Sequence, residues 1–140
     1  MDKKNISIKD IKKIKLANFN KKNSLLSVIN DFDLNFKIKR VFSINSPGKE
    51  TRGNHAHYKC SQFFQCVNGS VEIKCFDGYK KKVFLLNDPK HGLLVPPLIW
   101  SSQYYIKKNT LLLICCDLYY NESEYITDKD KFYNIKKKWI

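Results

Sequence analysis

Residues 62–76 read QFFQCVNGSVEIKCF, two runs of apolar and aromatic residues joined by a short polar turn. In the second run, VEIKCF, apolar and charged residues alternate, which is the period of a strand with one buried face. The turn between the runs, Asn68-Gly69-Ser70, is typical of a tight β-hairpin. The segment therefore predicts two antiparallel strands, 62–67 and 71–76, joined as a hairpin.

Short β segments continue on both sides of this pair, and turn signals separate them. They lie at 25–29, where the apolar run predicts a buried strand, and at 36–42, 83–86, 93–97 and 110–116. Strands at such spacing predict an all-β sandwich or barrel. Only the segment from Glu122 to Phe132 is predicted to be helical, because Glu122 and Glu124 favour a helix start. No repeat or linker divides the chain, so we expect one domain over residues 1–140.

The composition excludes several classes of protein. The chain of 140 residues is 43% hydrophobic and 14% aromatic, with five glycines and four prolines, which excludes disordered and collagen-like chains. No apolar run approaches the ~20 residues that a membrane-spanning helix needs, so no membrane partner is expected. The five cysteines show no C-x-x-C spacing and are predicted to be reduced thiols, which favours a cytoplasmic location.

The formal charge of +13 raises the question of a polyanionic partner. Of the 26 basic residues only Arg40 and Arg52 are arginines, and the lysines are spread along the whole chain. Because recognition of bases and phosphates favours the planar fork of arginine, we interpret the lysines as a solvated surface and expect no nucleic-acid partner.

The strongest chemical signal is the pair His55 and His57. Residues i and i+2 of a strand face the same side, so the two imidazoles are predicted to point into one cavity. Their spacing to Gln62 and Gly69 resembles the first motif of the jelly-roll cupins, in which the position of Gln62 carries an acidic metal ligand. At the position of a further histidine ligand of the second cupin motif stands Ser101. Amide and hydroxyl oxygens are weak replacements on a divalent metal, so we expect no metal or other cofactor, which leaves both imidazoles available for proton transfer.

Longer segments resemble a narrower family. They are KRVF at 39–42, RGNHAHYK at 52–59, CVNGSV at 66–71, NDPKHGLLVPPLIW at 87–100, and DLYYNESEYI at 117–126 followed by Asp128. Together, from about Leu25 to Phe132, they resemble the sugar 3,4-ketoisomerases, which are dTDP-4-oxo-6-deoxy-glucose 3,4-oxoisomerases of the WxcM-like cupins. The resemblance implies an all-β fold, a cupin jelly-roll β-barrel, with the predicted helix as a short C-terminal addition.

The resemblance also implies a function. It predicts a metal-free isomerase, usually a homodimer, that moves the keto group of a dTDP-linked 4-oxo-6-deoxyhexose from C4 to C3 on the way to 3-amino or 3-formamido sugars of surface polysaccharides. The chemistry is removal of a proton next to a carbonyl, giving an enediolate that is reprotonated on the neighbouring carbon. We predict His55 as the base and His57 as its partner. The predicted substrate-binding residues are Arg40, Arg52, Gln62, Trp100, Ser101 and Tyr105.

Two departures from the family pattern affect the mechanism. Relatives commonly carry a tyrosine pair where this chain has Phe42-Ser43, and some carry histidine at the position of Ser101. The proton for C4 would then come from Tyr104 or Tyr105, from a water, or from His57. The C4 configuration of the product, galacto or gluco, stays open.

Three alternative functions also stay open. A sugar-nucleotide 3-epimerase would share the fold and much of the chemistry. A metal-dependent cupin oxygenase would need tightly bound metal, which the residues at positions 62 and 101 disfavour. A noncatalytic binding cupin directed at polyanions is disfavoured by the low arginine content.

Overall fold

The fold was obtained as a computed structural model, and residues 6–137 are described. The prediction of an all-β chain with a short C-terminal helix is confirmed. The strands are β1 Lys12–Lys15, β2 Ala17–Lys21, β3 Ser24–Val28, β4 Arg40–Ser46, β5 Glu50–His57, β6 Gln62–Asn68, β7 Val71–Phe76, β8 Lys81–Leu86, β9 His91–Val95, β10 Trp100–Tyr105, β11 Thr110–Cys116 and β12 Tyr125–Ile126; the helices are α1 Asp31–Leu34 and α2 Lys129–Lys137.

Most strands belong to two five-stranded antiparallel sheets that enclose the main core. One sheet has the order β1-β9-β6-β11-β4 and the other the order β12-β5-β10-β7-β8. Alternate residues of both sheets point inward. Phe64 and Ile114 of the first sheet and Ile73 and Tyr105 of the second are buried in one cluster. This is the arrangement of a β-sandwich, in which the inner faces of two sheets interdigitate.

The predicted hairpin over residues 62–76 is wrong in its pairing, although both strands form. β6 pairs with β9 and β11, whereas β7 pairs with β8 and β10 in the opposite sheet. The turn between them therefore crosses from one sheet to the other. Gly69 allows this because its φ is +88°, and Ser70 N–H donates to Oγ1 of Thr110 at 3.2 Å. Local alternation reports which residues are strands and which face is buried, but it does not report which strands pair.

The N-terminal segment also differs from its prediction. The apolar run 25–29 contributes β3, which pairs only with β2 among the strands of residues 6–137, and the two form a ribbon separate from both sheets. The side chains of Phe19 and Leu26 on this ribbon are 62% and 60% exposed. The expected buried strand is therefore an exposed ribbon with apolar side chains on its surface.

The C-terminal segment is only partly helical, in contrast to the prediction for Glu122 to Phe132. Residues Glu122–Glu124 form one 3-10 turn, and β12 follows directly. β12 pairs with the end of β5, with Tyr125 opposite His57. Helix α2 begins only at Lys129, after Asp128 Oδ1 accepts a hydrogen bond from Asp130 N–H at 2.9 Å. Pairing with β5 thus replaces the first part of the expected helix and brings Tyr125 beside the histidine pair.

Within residues 6–137, no helix combines the length and the apolar content needed to cross a membrane.

Candidate active site

A cavity of about 140 Å³ lies between the inner faces of the two sheets. Residues from both sheets and from β12 form its wall, which is apolar on one side and polar on the other. The lining residues are Phe42, Ile44, Arg52, Gly53, His55, Gln62, Phe64, Gln103, Ile114 and Tyr125. Three of the predicted site residues, Arg52, His55 and Gln62, therefore meet in one cavity.

The two histidines lie at the end of β5, where the strand is held on both sides. His55 is opposite Ser101 of β10, and His57 is opposite Tyr125 of β12. The imidazole centroids are 5.1 Å apart and the rings are nearly perpendicular. The rings pack edge to face, as the spacing i and i+2 predicts, but only His55 lines the cavity, so the prediction that both rings point into one cavity is confirmed for His55 alone.

Both imidazoles are held in the neutral form. Burial lowers the pKa of His55, and the nearby charge of Arg40 also lowers it. A hydrogen bond with the Gly53 backbone acts in the opposite direction but is outweighed. Burial also lowers the pKa of His57, to about 3, with smaller contributions from His55 and Arg40. A neutral imidazole has a free nitrogen lone pair, so each ring is able to accept a proton at neutral pH.

The two histidines differ in access to the cavity. His55 lines the cavity, whereas His57 does not line it and is only 5% exposed. Within residues 6–137, neither ring nitrogen of His57 has a hydrogen-bond partner. Burying such polar atoms without partners costs free energy, which indicates that another group completes the site when it is in use.

Arg40 links the wall of the cavity to a buried thiol. Its Nη1 donates to the Tyr125 hydroxyl at 3.3 Å and its Nη2 donates to Sγ of Cys116 at 3.4 Å. Gln62 Nε2 also reaches Cys116 Sγ, at 3.5 Å. Hydrogen bonds from Cys60, Gln62 and Arg40 lower the pKa of Cys116 against the effect of burial. Cys116 is thus an acceptor that orients both Arg40 and Gln62.

Tyr125 is a site residue that the sequence analysis missed. Its ring centroid lies 4.9 Å from that of His55 and 4.5 Å from that of His57, so the phenol packs against both imidazoles. The segment 117–126 resembles the family, but Tyr125 was predicted to lie in a helix, and a helix there does not predict pairing with β5. Gln103, which lines the same cavity, was missed as well; it follows Ser101 by two residues on β10, a strand that the sequence analysis did not predict.

The remaining predicted residues lie outside the cavity wall. Ser101 is buried opposite His55. Trp100 is adjacent to Ser101 on β10, so its side chain turns to the other face of the sheet, where it packs 5.7 Å from Phe132 of α2. Tyr105 is fully buried in the main core, and within the described part of the chain its hydroxyl has no partner. The structure therefore does not bring Trp100 or Tyr105 into contact with the cavity.

Comparison with family models gives one match. Residues 4–137 match the model described as "FdtA: WxcM-like, C-terminal". A curated relative from Aneurinibacillus thermoaerophilus, TDP-4-oxo-6-deoxy-alpha-D-glucose-3,4-oxoisomerase, is 34% identical over 131 residues, which cover 90% of this chain and 91% of the relative.

Solved structures with the same fold are also similar in sequence. QdtA, a sugar 3,4-ketoisomerase from Thermoanaerobacterium thermosaccharolyticum solved with TDP, is 34% identical, with a TM-score of 0.89 over 94% of this chain and 98% of that chain. A variant of QdtA was solved with TDP-4-keto-6-deoxyglucose. WlaRA, a TDP-fucose-3,4-ketoisomerase from Campylobacter jejuni, is 35% identical, with a TM-score of 0.84 over 91% of this chain and 96% of that chain.

Proposed function

The chain belongs to the FdtA family of WxcM-like proteins, and from that membership we propose that it is a sugar 3,4-ketoisomerase acting on a TDP-linked 4-oxo-6-deoxyhexose. The observation that carries the proposal is the neutral imidazole of His55 in the wall of the cavity, with Arg52 and Gln62 on the same polar side. Similar proteins with the named activity have this fold over nearly their whole length.

The reaction begins with removal of the proton on C3, next to the C4 carbonyl. His55 is the base in this proposal, because a lowered pKa keeps its ring nitrogen unprotonated at neutral pH. The electrons of the broken C3–H bond form the C3–C4 double bond, and the C4 carbonyl oxygen takes the negative charge of the enediolate. A proton then moves from the C3 oxygen to the C4 oxygen, and a proton added to C4 completes the transfer of the carbonyl to C3.

The transfer between the two sugar oxygens is the role predicted for His57. Two features support it: the ring stays neutral because its pKa is about 3, and both of its nitrogens lack a partner among residues 6–137. A neutral imidazole accepts a proton on one nitrogen and donates one from the other. His57 does not line the cavity, so this role stays a prediction.

Binding requires positive charge for the diphosphate and hydrogen bonds for the hexose. Arg52 is exposed at the cavity and supplies a cation, and Gln62 and Gln103 supply amide groups in its wall. Arg40 places a second cation behind Tyr125. Because the cavity holds only about 140 Å³, we propose that it takes the reacting edge of the sugar and that the nucleotide lies outside it.

The residues around the histidine pair do not fit a tightly held metal. Across residues 6–137, no group of three or more His, Cys, Asp or Glu side chains is arranged to hold one. The nearby donors are the Gln62 amide and the Ser101 hydroxyl, which bind divalent metals weakly. We therefore derive no step through a metal.

The protein is further proposed to be a homodimer that acts in the cytoplasm, in the synthesis of amino or formamido sugars for surface polysaccharides. The exposed ribbon β2–β3, with Phe19 and Leu26 uncovered, supports self-association because such apolar surface is usually covered by a partner. The five cysteines are all unpaired and buried, which fits a reducing compartment. Sedimentation of the wild type and of Phe19→Asp tests the dimer: the variant should sediment as a monomer, and a wild-type monomer would refute it.

The proposed activity is tested by trapping the position of the carbonyl. The protein is incubated with TDP-4-keto-6-deoxyglucose, and the sugars are then reduced with borodeuteride and examined by NMR. A 3,4-ketoisomerase gives sugars that carry deuterium at C3, in addition to the C4-labelled sugars from remaining substrate. A 3-epimerase gives deuterium at C4 only, with a changed configuration at C3, and that result would contradict the proposal.

A further inference from the structure

Among the described residues that line the cavity, only two carry a side chain suited to acid–base catalysis. Four lining side chains are apolar, and Arg52, Gln62 and Gln103 are not of the residue types that serve as general acids or bases. This leaves His55 and Tyr125. The proposed isomerisation needs one group to take the C3 proton and a source of the proton that C4 receives.

We propose that Tyr125 is the second catalytic residue of the site, the acid that protonates C4. This inference rests on the proposed ketoisomerase function and names a residue that the sequence analysis did not predict. Its first support is position: Tyr125 lines the cavity together with His55, and the ring centroids of the two residues are 4.9 Å apart. One sugar is thus able to contact both side chains.

The second support is the hydrogen bond from Arg40. Nη1 of Arg40 donates to the Tyr125 hydroxyl oxygen at 3.3 Å, so the bond occupies a lone pair and leaves the hydroxyl proton of Tyr125 free for donation. After that proton leaves, the guanidinium stabilises the phenolate. Arg40 is fixed for this task by Cys116 at 3.4 Å and by the rings of Phe42 and Tyr120, which lie 5.4 and 5.6 Å from its central carbon.

The third support is the lack of another phenol in the wall. Phe42 lines the cavity without a hydroxyl, and Tyr105 is fully buried and is not among the lining residues. Tyr104 does not line the cavity either. Tyr125 therefore supplies, from β12, the hydroxyl that β4 lacks.

The proton balance of the cycle closes with these two residues and the transfer between the sugar oxygens that is assigned above to His57. His55 takes the C3 proton and becomes an imidazolium, and the O3 proton moves to O4. Tyr125 then gives its proton to C4, and the electron pair of the carbon–carbon double bond forms the new C4–H bond while the O3 electrons form the C3 carbonyl. The excess proton on His55 returns to the Tyr125 phenolate through solvent in the open site.

The test is to separate proton removal from carbonyl movement with Tyr125→Phe. In deuterated water, the variant is incubated with TDP-4-keto-6-deoxyglucose, and proton NMR follows both loss of the C3 hydrogen signal and formation of the 3-keto sugar. We expect product formation to fall by about 100-fold or more while C3 exchange, which needs only His55, stays within about threefold of the wild type. Tyr119→Phe, which removes a hydroxyl from an exposed ring in the preceding loop, should behave as the wild type.

Other results would overturn the role of Tyr125. Product formation by Tyr125→Phe at near the wild-type rate would show that its hydroxyl is not the acid, and an equal loss of exchange and product would place it elsewhere in the reaction or in the structure. A second measurement needs no variant: the wild type in ordinary water converts substrate deuterated at C3. Hydrogen at C4 of the product is expected, whereas transferred deuterium would show that His55 alone carries the proton. A wild-type protein with neither exchange nor product would refute the proposed function itself.

Discussion

Replacing His57 by asparagine should remove a pH dependence from the stability of the protein. Burial, His55 and Arg40 lower the pKa of His57 from 6.5 to about 3, so the folded protein binds this proton less readily than the unfolded chain does. The free energy of unfolding therefore carries no penalty from His57 well above pH 6.5, and it falls as the pH decreases from 6.5 towards 3. At pH 5 the imidazole of His57 is protonated in the unfolded chain and neutral in the folded protein. This difference lowers the free energy of unfolding by about 2 kcal/mol relative to neutral pH.

The assay is urea unfolding of the wild type and of His57→Asn at pH 8, 7 and 5, followed by circular dichroism. Between pH 7 and 5, the free energy of unfolding of the wild type should fall by about 2 kcal/mol more than that of the variant. Between pH 8 and 7, both proteins should change by the same small amount. Equal losses in the two proteins between pH 7 and 5 would refute the account of His57 as a neutral buried imidazole.

Three further predictions concern Arg40, Gly69 and the absence of a metal. Arg40→Lys should lower kcat by about 100-fold with little change in the melting temperature, because lysine cannot donate to Tyr125 and Cys116 in the same geometry; unchanged kinetics would contradict this. Gly69→Ala should lower the free energy of unfolding by about 2–4 kcal/mol in urea, because φ is +88° and an added Cβ would lie 2.7 Å from Cα of Thr110. Dialysis against a chelator, with metal content checked by elemental analysis, should leave the activity unchanged; loss of activity that added metal restores would contradict the metal-free mechanism.

The secondary structure could be predicted where the sequence carries a clear strand pattern between turn signals. β7 was predicted because its six residues show a two-residue period, and β11 because its seven residues form a short run of mostly apolar residues; Asn and Asp lie at the ends of both strands. The pairing of β6 and β7 could not be obtained in the same way. A tight turn between two strands has the same local sequence whether they pair with each other or enter opposite sheets.

The proximity of the two histidines could be predicted because its geometry is local. His55 and His57 share one face of one strand, so spacing alone brought them together. Tyr125 could not be predicted, because β12 has only two residues and its position is set by pairing with β5. For Trp100 a signal was available: its neighbour Ser101 was expected to face the cavity, and adjacent residues of a strand face opposite sides.

The most direct measurement follows a carbon-13 label at C4 of TDP-4-keto-6-deoxyglucose by NMR after addition of the protein. We expect the label to leave the ketone region and to appear as a carbon bearing a hydroxyl, much more slowly with His55→Asn than with the wild type. A label that stays in the ketone or hydrate signal, with active protein confirmed by binding of TDP, would contradict the central claim that this site moves the carbonyl from C4 to C3.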